Sequence, residues 1–170
     1  MTPTFWSKLD VWARQLTPFG LTVLLLLIGV VPLHIPGFGA VAPVLPLIAV
    51  FHWALYRPQL MPTVAVFVIG LLQDALTGTP MGVSAAVFVV VHGVVNTQRR
   101  FFFGKSFAIV WLGFALVSTG AFVATWVLVS VFYGVLIQPQ ALFFQALLTL
   151  GCFPLLSWAL LRWQMAFLRA

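Results

Sequence analysis

Acidic residues are almost absent from this 170-residue chain, which holds only Asp10 and Asp74 and no glutamate. Charged residues of both signs make up 6% of the sequence, against about 25% in soluble domains. Too little polar surface remains to cover a water-soluble globule, so a soluble enzyme is excluded. Disorder is excluded too, because disordered segments are polar and poor in aromatics, whereas this chain is 63% hydrophobic and 15% aromatic. The single cysteine, Cys152, permits no internal disulfide and lies in an apolar run, where it reads as a buried packing residue.

The same scarcity bears on chemistry. Intramembrane hydrolysis needs paired acids or a nucleophile beside its base, and Ser84, Ser118 and Ser130 stand in no such context. Transfer of phosphorylated lipids calls for several metal-binding acids or outward-facing basic residues, and the chain offers neither. His34, His52 and His92 stand alone, with no second ligand three or four residues away, so no metal site and no cofactor is expected. His34 falls in a loop and His52 near a helix end, where it reads as interfacial or hydrogen-bonded. His92 interrupts an otherwise apolar helix and reads as a packing residue or a proton carrier. The expectation is a protein without catalytic residues.

What the chain does have is long uncharged stretches. There are 42 residues between Arg14 and Arg57, 41 between Arg57 and Arg99 interrupted only by Asp74, and 56 between Lys105 and Arg162. One crossing of a bilayer takes about 20 residues, so each stretch holds two. Turn-forming residues sit where the hairpins should reverse: Pro32–Gly37, Thr77–Gly82 and Gln138–Gln140. The expected fold is an all-α integral membrane protein of six transmembrane helices, near 17–33, 41–56, 60–76, 81–97, 107–134 and 141–161. Ser118–Gly120 is placed to bend the fifth and Pro154 to kink the sixth. This gives a transmembrane domain over 17–161 and a short cytoplasmic tail over 162–170.

All eight basic residues then fall on one side: Lys8 and Arg14, Arg57, Arg99 with Arg100 and Lys105, and Arg162 with Arg169. By the positive-inside rule that side, with both termini, is cytoplasmic. Residues 1–16 precede the first span as an interfacial amphipathic helix. Thr2-Pro3 fits an N-cap with proline in the first turn, and Phe5, Leu9, Trp12 and Leu16 form one apolar stripe. A partly ordered tail is the alternative.

Asp74 breaks the pattern. A carboxylate near the end of a membrane helix needs donors or water, since at mid-bilayer it costs about 2.5–3.5 kcal/mol. The nearest donors are Gln73, Thr77, Thr79, Ser84 and the free N–H groups opening the next helix, whose positive end favours an anion. Asp74 either pins this turn or contacts a partner helix or small substrate. Gly70, Gly78, Gly82, Gly113 and Gly120 fit close packing. On the basic side, Arg99-Arg100-Phe101-Phe102-Phe103-Gly104-Lys105 combines three cations with three aromatics. It suits anchoring to anionic membrane lipids or docking of a cytoplasmic protein, and is too short for nucleic acid.

Trp53-Ala54-Leu55-Tyr56-Arg57-Pro58, followed by Gly70-Leu71-Leu72-Gln73-Asp74-Ala75-Leu76-Thr77-Gly78-Thr79-Pro80-Met81-Gly82, resembles the bacterial rod shape-determining protein MreD family. That family has an aromatic-rich second helix ending in Arg-Pro, then a Gly-Leu-x-x-Asp-x-x-x-Gly-x-Pro-x-Gly signature. The resemblance implies a non-enzymatic, multi-pass scaffold in the bacterial cell inner membrane, part of the elongation machinery. It implies binding to MreC, a single-pass protein, and links to MreB filaments and peptidoglycan synthases. Arg57, Pro58, Gly70, Asp74, Gly78, Pro80 and Gly82 become the structural or partner motif. The family is also similar in fold to the substrate-binding subunits of energy-coupling-factor transporters. The alternative function is therefore a vitamin-binding transporter subunit, against which stands a thin supply of outer polar groups: His34, Asp74, Thr77, Thr79, Gln138 and Gln140.

Overall fold

A computed structural model describes residues 5–31 and 41–167. Thr2-Pro3, the loop carrying His34, and Arg169 lie outside the described residues. Six α-helices and no strand occur among those described: α1 (Phe5–Val30), α2 (Leu45–Tyr56), α3 (Thr63–Thr77), α4 (Val83–Phe102), α5 (Phe107–Tyr133) and α6 (Gln140–Phe167). A 3₁₀ turn, Pro58–Leu60, joins α2 to α3.

The helices alternate in direction, which gives the bundle two unlike ends. At one end the first turns of α1, with Trp12 and Leu16, lie along the α2–α3 turn at Gln59, Leu60 and Pro62. There too, Leu55 and Tyr56 meet Phe102, Phe103, Gly104 and Lys105. This end carries the described cations Arg14, Arg57, Arg99, Arg100, Lys105 and Arg162. At the other end, uncharged among the described residues but for the Asp74 carboxylate, the entry to α2 at Val44 gathers with Thr77–Pro80, Tyr133, Ile137 and Ala141.

The centre is α2. Every one of its residues except Tyr56 is buried, as expected of a helix apolar all round, and α1, α4 and α6 pack around it. Phe114 of α5 stacks on Phe153 of α6 at 4.2 Å between ring centroids, and Phe51 of α2 meets both rings edge-on at 5.1 and 5.7 Å. Such offset and edge-to-face contacts add to the apolar burial itself. The periphery is the reverse of a soluble surface. Along α5, Leu112, Leu116 and Val131 are all about two-thirds exposed or more. A continuous apolar exterior of this kind is a membrane surface.

Length divides the helices. α1 from Trp12 onward, α5 and α6 are long and apolar enough to cross a membrane. With 12 and 15 residues, α2 and α3 are shorter apolar helices. They rise only about 18 and 22 Å, less than the ~30 Å hydrocarbon core. Extended chain completes α2. The Gln145 amide of α6 donates to the Ala42 carbonyl at 3.0 Å, and the Val44 N–H donates to Thr149 Oγ1 at 3.0 Å. Non-helical backbone is tolerated at membrane depth where protein groups satisfy it in this way.

Helix limits differ from the sequence expectation for identifiable reasons. α2 starts at Leu45 because Pro46 needs the first turn of a helix, where no N–H is required. α1 runs unbroken through residue 16: Pro18 sits inside it, and the Thr17 and Thr22 hydroxyls donate to the carbonyls of Ala13 and Pro18 at 2.8 and 2.7 Å. Residues 5–16 are thus continuous with the first span. α5 runs unbroken through Ser118–Gly120, with both hydroxyls donating to the Ala115 carbonyl. α6 continues past residue 161, carrying most of the expected tail as helix. There Arg162 lies over Trp158 and Trp163 stacks on Phe167, pairs four residues apart that support helix. His52 is a core residue, 1% exposed, packed against Trp53 and Tyr56 rather than at an interface. The polar group beside its ring is the Gln164 side chain of α6, although neither ring nitrogen reaches it in strict hydrogen-bond geometry. His92 is buried as well, and Cys152 is half-buried beside the core.

α3 and α4 approach most closely at Gly70. A methyl group there would lie 2.6 Å from the Ala85 nitrogen and 2.9 Å from the Ser84 carbonyl carbon, both backbone atoms that cannot rotate away. Gly120, by contrast, has nothing within 4 Å of the same position. Gly70→Ala should therefore destabilise the protein by about 1–3 kcal/mol through overpacking, and Gly120→Ala should not lower stability. Thermal unfolding of both variants in detergent checks the contrast.

Candidate functional site

The site begins with a helix that has no cap of its own. α4 opens at Gly82, whose φ of +99° suits glycine and which has no side chain to bind the free amides of the first turn. α3 closes at Gly78, also left-handed at φ +72°. Between these glycines the chain reverses in three residues, with Pro80 buried against the bundle. Thr77 Oγ1 donates to the Gln73 carbonyl at 2.7 Å and lies 2.8 Å from Thr79 Oγ1, which holds the turn from within.

Asp74 supplies the missing cap. Its Oδ2 accepts the Gly82 N–H at 2.9 Å, and its Oδ1 and Oδ2 accept the Ser84 N–H at 3.0 and 3.1 Å. The side chain is 1% exposed. Two of the orphan donors of α4 are thus satisfied by an anion at the positive end of the helix, as helix termini favour. Gly70 and Asp74 stand four residues apart, on one face of α3. The close approach at Gly70 is what brings the first turn of α4 within reach of the carboxylate.

The remaining expected residues are dispersed. Gly70, Asp74, Gly78, Pro80 and Gly82 come together at the end opposite the basic one. Arg57 and Pro58 lie at the far end of α3: the Arg57 N–H donates to the Trp53 carbonyl and closes α2, and Pro58 starts the 3₁₀ turn. Among the loop residues, Arg99, Arg100, Phe101 and Phe102 belong to the last turn of α4, where cations complement the negative end of a helix. Phe101 and Phe103 are exposed, with Lys105 Nζ 5.8 Å from the Phe101 ring. Phe102 turns inward instead. Its ring lies on Gly113 and meets Phe51 edge-on at 6.4 Å, so it packs the core rather than presenting a contact surface. The expectation that all three phenylalanines form one exposed loop is corrected by helix rotation, because α4 extends through residue 102.

Beside the Asp74 turn lies a cavity of about 470 Å³, walled by the α3–α4 turn, the entry to α2, and the facing ends of α5 and α6. Gln73, Ser84, Thr125, Trp126, Tyr133 and Gln145 line it. Sequence reasoning named Gln73 and Ser84 only as donors to Asp74, and the other four not at all. The signals were present but weak: Gln73 beside Asp74, and Gln145 with Thr149 one turn apart in an apolar helix. Among the described residues no three of His, Cys, Asp and Glu gather as metal ligands.

A family model described as rod shape-determining protein MreD matches residues 12–162. No curated protein and no solved structure matches the chain.

Asp74→Ala leaves the buried Ser84 and part-buried Gly82 N–H groups without an acceptor and should cost about 1.5–3 kcal/mol, the range for a hydrogen bond to a charged group. Asp74→Asn keeps one acceptor oxygen and should lose less. Melting temperatures in detergent should fall in the order wild type, Asn, Ala; equal values for all three would contradict the capping role.

Proposed function

Because the chain belongs to the MreD family, the match covering residues 12–162, we propose that it is a non-enzymatic scaffold of the bacterial cell-elongation machinery. It lies in the inner membrane as a multi-pass protein, with the basic end and both termini in the cytoplasm. It binds an MreC-type single-pass protein and links it to MreB filaments and peptidoglycan synthases. The family match carries this reading: the family is a structural component of rod-shape determination and not a known enzyme family. The fold agrees with such a role, since the exposed faces are apolar helix surfaces that can pack against another membrane helix.

Within this proposal the two ends divide the work. Asp74, Gly70, Gly78, Pro80 and Gly82 set the outer hairpin and keep α3 and α4 as one rigid unit. Arg57 and Pro58 order the inner hairpin. The exposed Phe101 and Phe103, with Arg99, Arg100 and Lys105, meet anionic lipid headgroups, worth about 1 kcal/mol per cation, or a cytoplasmic component.

Affinity purification from the native membrane in mild detergent tests the assignment. An MreC-type protein should be recovered in near-equal amount. Recovery of paired ATPases with a coupling membrane subunit would overturn the scaffold reading in favour of a vitamin-binding transporter subunit. Asp74→Ala should reduce partner recovery and cell-rod morphology together. A folded Asp74→Ala protein that still binds its partner and supports rods would remove the residue from the functional motif.

A further inference from the structure

α6 is one helix from Gln140 to Phe167, yet it contains a joint. Pro154 has no N–H, so the Leu150 carbonyl four residues before it loses its helical donor. Trp111 of α5 supplies one instead, its Nε1 donating to that carbonyl at 3.3 Å. Neighbouring helices can re-satisfy a carbonyl freed by proline in this way inside a membrane. Gly151 lies in the same turn, and a methyl group placed there would meet nothing within 4 Å. Packing therefore does not restrain the backbone beside the proline, and glycine leaves it free to adjust.

The two arms on either side of this joint are held very differently. The outer arm is tied to the entry of α2 by Gln145 and Thr149, and Phe153, just before the joint, stacks on Phe114 in the core. The inner arm, residues 155–167, turns Ser157, Leu160 and Gln164 to one helix face. Ser157 and Leu160 are 1% and 3% exposed, and Gln164 lies beside the His52 ring of α2. Only one of the three is apolar. Ser157 Oγ, Gln164 Oε1 and both ring nitrogens of His52 are buried without a hydrogen-bond partner. Buried polar groups are normally paired, so an interface with unpaired groups on both sides is not at its best fit. A carboxamide and a neutral imidazole each carry a donor and an acceptor. A swing of the arm would join Gln164 to His52.

We propose that α6 is a lever jointed at Gly151–Pro154 and latched by Trp111, whose inner arm exchanges between the position described and a second one in which Gln164 pairs with His52. The moving arm carries Arg162 and the exposed Trp158, Trp163 and Phe167, so the swing changes the face that α6 presents at the basic end. The lever goes beyond the scaffold role and does not depend on which proteins the chain binds.

Pulsed electron-spin distance measurements on the full chain in lipid nanodiscs test it, in a Cys152→Ser background. One labelled pair, Gln98→Cys with Met165→Cys, reads the inner arm against α4. The other, Met81→Cys with Phe144→Cys, reads the outer arm against the α3–α4 turn. The inner pair should give two distances and the outer pair one. Gln164→Leu removes the pairing group, and Pro154→Ala returns an N–H to the Leu150 carbonyl; each should leave the inner pair with a single distance. Trp111→Phe keeps the ring but loses the donor, and should shift the ratio of the two distances by about three- to tenfold, the effect of one net hydrogen bond. A single inner distance as narrow as the outer one would overturn the proposal. So would two inner distances that persist in both Gln164→Leu and Pro154→Ala, or a ratio that Trp111→Phe leaves unchanged.

Discussion

One carboxylate holding two backbone amides is the interaction on which the rest of this bundle depends. Asp74 is almost completely buried, and α4 starts at a glycine that cannot cap itself. Without the carboxylate, the first turn of the helix would face an apolar environment with unpaired donors, and without those donors the carboxylate would be an isolated charge in the same environment. Each solves the other's problem. Because the donors are on α4 and the acceptor on α3, the solution also locks the two helices in register, with Gly70 setting their separation.

The same rule recurs at two other places where the described chain leaves helical geometry at this end of the bundle. The entry to α2 is held by Gln145 and Thr149 of α6. The turn after α5 is held by Trp126 Nε1 donating to the Ile137 carbonyl at 2.8 Å, with Ser130 Oγ accepting the Ile137 N–H at 3.4 Å. Side chains that would serve as surface decoration in a soluble protein are used here to satisfy backbone in place of water. This explains how α2 and α3 can be too short to cross a bilayer alone and still belong to a membrane bundle. Gln73 and Ser84, on either side of the Asp74 turn, line the cavity beside it.

The six helices and the described turns at Thr77–Gly82 and Gln138–Gln140 were legible because charges, prolines and glycines mark them directly in the sequence. Asp74 was legible in part: a carboxylate in an apolar chain has few ways to be satisfied, and the amides of the following helix stood among the available donors beside Gln73, Thr77, Thr79 and Ser84, from which only packing selects. Helix limits were less so. Pro18 would end a helix in water but sits inside α1, and the polar residues from Asn96 to Arg100 look like a loop but continue α4. One such extension reverses a side chain, as Phe102 shows by packing on Gly113. The cavity was not legible at all, because Gln73, Ser84 and Gln145 come from three helices and converge only when those helices pack. No local pattern carries that information.

The most direct test of the capped hairpin is residue-resolved hydrogen–deuterium exchange of the protein in lipid, read at the backbone amides of Gly82 and Ser84. Both should exchange slowly in the wild type although they lie in the first turn of a helix, where amides ordinarily have no intrahelical acceptor. In Asp74→Ala both should become fast while the amides in the middle of α4 stay protected. Rapid exchange of Gly82 and Ser84 in the wild type would contradict the account, because the carboxylate would then not be holding the helix it is placed to cap.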